Sequence, residues 1–237
     1  MVGHEVAFSL VSLVAFLPAP LTGRPAAAVV GAAAGVLAGL GIVEGNRRLE
    51  QLHHVSNAAS AFQRWGPPAL LGLTLAVFGG QAGWQPVFGV RALWAAVLVQ
   101  VLFFDLAHRL ILDRVLLPAA VLAFLASFVT PGVGWPSSLA AGVAAVAVFG
   151  AFAFLGRLAL RGEVLGMGDV KLAGFIGLAL GVQGTVAALV LGVLLAGVVA
   201  AALLVARVRS LRDTIAYGPF LCAGALLGLF LNGQTVR

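Results

Sequence analysis

Of 237 residues, 62% are hydrophobic and only 9% charged. Ordinary soluble domains carry about 45–50% apolar and about 25% charged residues, so no soluble core of this length could hide the apolar surface, and the chain reads as a membrane protein. The formal charge of +6 does not point to nucleic acid. The basic residues are scattered in short stretches between apolar runs, which is the pattern of membrane topology rather than of a phosphate-binding patch. The single cysteine, Cys222, lies in an apolar run, which excludes an internal disulfide and a cysteine-based zinc site.

A membrane span needs roughly 20 apolar residues. Taken in chain order, the apolar runs predict spans at about 2–20, 26–44, 67–84, 88–105, 115–130, 137–156, 170–183, 186–206 and 217–232. The first lacks an early basic cluster and a small-residue cleavage site, so it is expected to be a span rather than a signal peptide. Gln183-Gly184 is the only break between the seventh and eighth, which leaves eight or nine spans. The fold class expected is therefore all-α: a polytopic transmembrane helical bundle forming one domain over 1–237. Its 31 glycines suit close helix packing in lipid. Residues 45–66 form the one longer polar loop.

Placing that loop in the cytoplasm and alternating along the chain puts eleven basic residues inside: Arg47, Arg48, Arg64, Arg109, Arg114, Arg157, Arg161, Lys171, Arg207, Arg209 and Arg212. Three are left outside: Arg24, Arg91 and Arg237. The excess favours this orientation over its inverse.

The chain has eight acidic residues, so each can be weighed. Glu5, Glu44, Glu50 and Asp213 read as solvated loop charges. Asp105 and Asp169 differ. Asp105 closes the apolar run 97–104, and Asp169 opens another after Gly166-Met167-Gly168. Both fall at the cytoplasmic edge of a predicted span. An ionisable group at membrane depth costs about 2.5–3.5 kcal/mol on insertion scales and is retained where it has a partner or a role. A bland alternative is an interfacial acid paired with Arg109 or Lys171. The chemical alternative is a carboxylate pair. Two nearby carboxylates share one proton; the ionised acid activates water and the protonated acid donates to the scissile carbonyl. That chemistry asks for no cofactor, metal or nucleophilic side chain. No serine-hydrolase elbow, zinc-protease motif, phosphate loop or dinucleotide fingerprint competes with it. The adjacent His53-His54 point about 100° apart on a helix and make a poor metal site. Gly166 and Gly168 would permit a bend or close approach just before a helix, where an extended peptide could lie against the acid.

These residues resemble a family, the type IV prepilin peptidases, which are GxGD aspartic proteases of the bacterial inner membrane. Glu163-Val-Leu-Gly166-Met-Gly168-Asp169-Val-Lys171-Leu172 is similar to the family's E-x-x-G-x-G-D-x-K-L. Asp105-Leu-Ala-His108-Arg-Leu-Ile-Leu-Asp113, followed by Pro118, is similar to its first aspartate motif, and Tyr217-Gly218-Pro219-Phe220-Leu221 to its F-G-P-F. The resemblance covers 105–221, about half of the chain. It implies that Asp105 and Asp169 are the catalytic aspartates. Asp113 would be a second, non-catalytic acid, whose bland reading is an acid near the start of the next helix. Gly166, Gly168, Lys171 and Glu163 would support the motif, with Lys171 tuning the acid or snorkelling to water. His108 also occupies a matching position, without an implied role. Leu112 stands where the family usually has proline before the second acid. Many members carry two Cys-x-x-Cys pairs in the first cytoplasmic loop and methylate the new N-terminus; the 45–66 loop has no cysteine, so neither zinc nor methylation is expected here. The implied partners are prepilin or pseudopilin precursors and the lipid bilayer, with no nucleic acid. The implied location is the inner membrane with a cytoplasmic site. A non-catalytic scaffold or small-solute transporter is the rival reading; broken helices with midplane acids would favour a transporter.

Overall fold

The computed structural model describes residues 25–52, 60–82, 86–160, 165–206 and 217–232. The predicted first span and His53-His54 lie outside the described residues. Those described are almost wholly helical and contain no strand. The helices are α1 (Pro25–Leu52), α2 (Ala61–Ala82), α3 (Pro86–His108), α4 (Asp113–Ala126), α5 (Trp135–Leu160), α6 (Met167–Val205) and α7 (Gly218–Asn232).

Residues 45–66 are not a continuous loop. α1 runs on to Leu52 and α2 begins at Ala61. The extension of α1 carries ion pairs from Glu44 to Arg47 and Arg48 at helical spacing, which give an exposed helix modest support. α2 starts on a capping box: Gln63 N–H donates to Ser60 Oγ, and Ser60 N–H to Gln63 Oε1. Two otherwise unpaired amides are satisfied reciprocally.

α1 docks on α2 through glycines spaced by four, which line one helix face. A methyl group at Gly31, Gly35 or Gly39 would strike the α2 backbone near Leu75, Leu71 and Pro68. Such close approach is how helices associate in lipid, where side-chain burial gives little drive. α3 runs through the middle. Trp94, Leu98, Val99 and Phe103 pack with Leu71 and Phe78 of α2, Phe175 and Ile176 of α6, and Leu221 and Cys222 of α7. The outer surface is apolar as well: Phe152, Phe154, Leu155 and Leu158 of α5 are each more than half exposed. A soluble protein does not leave such a surface bare.

Four of the described helices are long and apolar enough to cross a membrane: Pro25–Leu52, Val87–His108, Trp135–Leu158 and Met167–Ala202, with Gly218–Phe230 apolar but shorter. The expected eight or nine spans are not reached by that measure. α4 has 14 residues and α7 has 15, and the predicted seventh and eighth spans are joined in α6.

The 39 residues of α6 would stretch about 58 Å if straight, nearly twice a bilayer core of roughly 30 Å. They do not run straight. Gly181 has φ 65° and ψ −178°, a region essentially reserved for glycine. Thr185 Oγ1 donates to the carbonyl of Gly181 at 2.5 Å and comes within 3.5 Å of that of Ile176. Residues nine apart in a straight helix would be separated by about 13 Å, so the chain folds back here. Val182 N–H, freed from the helix, donates to Ser137 Oγ at 3.0 Å. The arm 167–180 lies antiparallel to α5, with Gly177 on Ala141 and Gly174 on Val146. The arm 182–205 lies antiparallel to α7, with Gly192 on Leu221 and Gly228 on Ala188. This reversal brings the start of α7 to the end of the bundle where α6 begins.

Candidate active site

Three helix ends converge there. Asp105 is in the last turn of α3, Asp169 in the first turn of α6, and Gly218 opens α7. α3 stops because Arg109 takes a left-handed conformation, φ 51°, while its N–H still donates to the Asp105 carbonyl at 2.7 Å. That is a helix-terminating arrangement usually made by glycine. The next residues cross to α4, and on the way Ile111 is wedged between the two other helix starts. A methyl group at Gly168 would lie 3.0 Å from Ile111 Cβ, and one at Gly218 would lie 3.2 Å from Ile111 Cδ1.

Both carboxylates are buried, Asp105 at 4% exposure and Asp169 at 9%. They lie close enough for the charge of Asp169 to act on Asp105. Cys222, fully buried one turn into α7, feels both. Asp105 also feels the charge of Arg109, but neither aspartate forms an ion pair among the described residues. Gly218 backs directly onto Asp105: a Cβ at that position would collide with Oδ2 of the carboxylate. Asp169 is held by its own turn. Its N–H donates to the Gly166 carbonyl at 3.1 Å, and the Gly166 N–H donates to its carboxylate. Leu165 anchors that turn by packing with Phe149, Ala153 and Val170.

In the second motif Gly168 serves close approach rather than an unusual backbone. Neither Gly166 nor Gly168 is among the positive-φ glycines. Gly168 leaves room for Ile111, and a methyl at Gly166 would meet Asp169 Oδ2 at 3.4 Å, an ordinary contact.

Lys171 and Asp113 do not join the aspartate pair. Lys171 Nζ donates to Asp113 Oδ2 at 2.6 Å, with the two side chains 38% and 50% exposed. The bond clips the first turn of α6 to the first turn of α4 at the rim of the site. Lys171 therefore has a specific partner rather than only snorkelling, and it is not the counter-ion of either buried aspartate. Asp113 begins α4 as expected, although the N-cap residue is Leu112, without a side-chain cap. Glu163 lies outside the described residues.

Two contributors were missed by reading the acids alone. Gly218 was visible only as part of a motif with no stated task. Glu50, read as a solvated loop charge, reaches into the bundle: its Oε1 lies 2.9 Å from Nε2 of His108, whose side chain is 2% exposed. The sequence signal was the four-residue spacing of Asn46 and Glu50, which puts two polar groups on one face of α1.

Residues 92–205 match the model of the type IV leader peptidase family. That stretch contains Asp105, Asp113, Asp169 and Lys171, but neither α1 nor Gly218. No curated protein and no solved structure gives a significant match to the chain.

Proposed function

From the match of residues 92–205 to the type IV leader peptidase family, we propose that the chain is a membrane aspartic endopeptidase that removes the leader from prepilin-like precursors. Asp105 and Asp169 are its catalytic pair. One observation carries the proposal: two carboxylates 64 residues apart in sequence are buried at one end of the bundle, close enough for one to feel the other's charge and with no ion pair among the described residues. Burying like charges together is costly unless they share a proton, and sharing a proton is what the chemistry requires. The ionised aspartate takes a proton from water as it attacks the scissile carbonyl, and the protonated one donates to the carbonyl oxygen. As the tetrahedral intermediate collapses, a proton passes to the leaving amine. Gly166, exposed and without a side chain beside Asp169, leaves room there for an extended peptide. A transporter would place its acids at the membrane midplane; these sit at helix ends.

The test is co-expression with a prepilin encoded in the same genome, scored by the size and N-terminal sequence of the product. Leader removal by the wild-type chain is the expected result. An uncut precursor, with both proteins in the membrane, would refute the reading.

The same proposal sets the site on the cytoplasmic side, supported by the eleven-to-three split of basic residues. Cysteines introduced singly as Arg48→Cys and Arg114→Cys should resist a thiol reagent confined to the outside, whereas Val129→Cys, at the opposite end and 77% exposed in the native residue, should react. Cys222 can stay in place, since it is fully buried beneath the aspartates. Labelling of the cysteine at 114 from outside would invert the topology.

A further inference from the structure

The last turn of an α-helix cannot hold itself, because its final carbonyls have no partners within the helix. Asp105 sits in such a turn, three residues before α3 ends at His108. Precise placement of its carboxylate against Asp169 therefore depends on what fixes that end from outside.

Two polar rungs from α1 do so. Asn46 Oδ1 accepts a hydrogen bond from Gln100 Nε2 at 3.2 Å. One turn further on, Glu50 Oε1 lies 2.9 Å from His108 Nε2. The rungs bracket Asp105 along α3. The imidazole is buried, lies against Phe104 with centroids 4.7 Å apart and the rings tilted by 49°, and has no partner at Nδ1 among the described residues. Its polar tie is thus to Glu50, with Nε2–H donating to the carboxylate. Glu50 is only partly exposed, at 21%, so water competes weakly for the bond.

The pair is not needed to dock α1. That task falls to Gly31, Gly35 and Gly39 against α2, at the other end of α1 and along its middle. Loss of the pair would leave α1 seated and free the end of α3. We propose that Glu50 and His108 are positioning residues for Asp105, with α1 acting as a brace that holds the α3 terminus in register with α6. His108 lies inside the stretch matched by the family model and Glu50 outside it. The proposal rests on the reading of Asp105 and Asp169 as the cleaving pair.

The test uses the full chain in membranes or detergent, with a prepilin as substrate. Cleavage by the wild-type chain and its loss in Asp105→Asn establish the underlying reading separately; a wild-type chain that cuts nothing refutes that reading and not the brace. Glu50→Leu and His108→Leu remove the tie while keeping bulk and suiting lipid. Each should lower turnover by roughly ten- to a hundredfold, the scale of an ångström-sized misplacement of a catalytic group, with KM changed by less than about twofold. The double variant should be no worse than either single one, since both break one bond. Glu50→Gln, which keeps an acceptor for the imidazole, should retain most of the turnover. A merely structural tie would not give this split. Leucine variants that turn over at the wild-type rate would overturn the proposal, as would losses that multiply in the double variant, or a Glu50→Gln as impaired as Glu50→Leu. If the leucine variants do not accumulate, the exchanged pair, Glu50→His with His108→Glu, decides. Recovery of cleavage supports the brace; a folded, accumulated but inactive exchange overturns it.

Discussion

Asp105→Asn and Asp169→Asn should each abolish leader cleavage, by about 10²–10⁴-fold, without destabilising the fold. The asparagine keeps the size of the side chain and leaves one buried ionisable carboxyl where there were two, at 4% and 9% exposure. No ion pair among the described residues is broken, so thermal stability in detergent should hold level or rise. The opposite prediction follows if these acids were structural counter-ions: removing one partner of a buried pair leaves an uncompensated charge and costs about 3–5 kcal/mol. Lys171 is already bound to Asp113 at 2.6 Å, and Arg109 makes no ion pair with Asp105 among the described residues, so that cost should not be seen. Two measurements decide it, the cleavage rate and the unfolding midpoint of each variant. A variant that still cleaves at the wild-type rate would end the two-carboxylate mechanism, and one that is inactive only because it unfolds would leave the acids with a structural role.

Gly218→Ala should be nearly as damaging. The added methyl group would run into the Asp105 carboxylate on one side and Ile111 on the other. Both neighbours are confined, Asp105 by burial and Ile111 by Gly168 behind it, so the carboxylate must move. A shift of about an ångström costs on the order of a hundredfold in rate, while overpacking itself costs about 1–3 kcal/mol. Gly228→Ala on the same helix supplies the control. Its methyl would press on Ala188 at 2.9 Å, at the end of α7 away from the aspartates, giving comparable crowding without touching the site. Turnover should collapse for Gly218→Ala and stay within a few-fold of wild type for Gly228→Ala, at matched amounts of folded protein. Equal losses in the two would mean that helix packing, rather than the carboxylate's position, was being read.

Much of the architecture was legible before any coordinates. Composition alone excluded a soluble fold, because apolar surface on this scale has nowhere to go but lipid. The boundaries predicted for 26–44, 88–105 and 137–156 fall inside α1, α3 and α5, since long apolar runs leave a helix little choice in a membrane. The break expected at Gln183-Gly184 lies a few residues past Gly181, where the chain reverses. The polar segment 45–66 was less legible: helix there is held by Glu44 with Arg47 and Arg48 and by the Ser60–Gln63 cap, local pairs that an apolar-run criterion does not register. Span number is not confirmed among the described residues, where four helices are long and apolar enough to cross a membrane, because run length does not distinguish a helix that crosses alone from a shorter one such as α4 supported by its neighbours.

By itself, then, the sequence determined the membrane class, the helical nature of the chain and the rarity of its acids, since these follow from composition and from spacing along one helix. It also singled out Asp105 and Asp169, because an acid at the edge of an apolar run is costly enough to need a reason. Only the tertiary structure decided which groups meet. Lys171 could have served Asp169 two residues away, yet it pairs with Asp113 from another helix. Glu50 looked solvated and instead holds a buried histidine beside Asp105. Gly218 had no visible task until its missing side chain proved to be the space occupied by a carboxylate. The physical reason is the same in each case. Pairing and exclusion depend on separations of a few ångströms between helices far apart in sequence, and those separations are set by the reversal at Gly181 and by glycine contacts between helices, which no periodicity along the chain encodes.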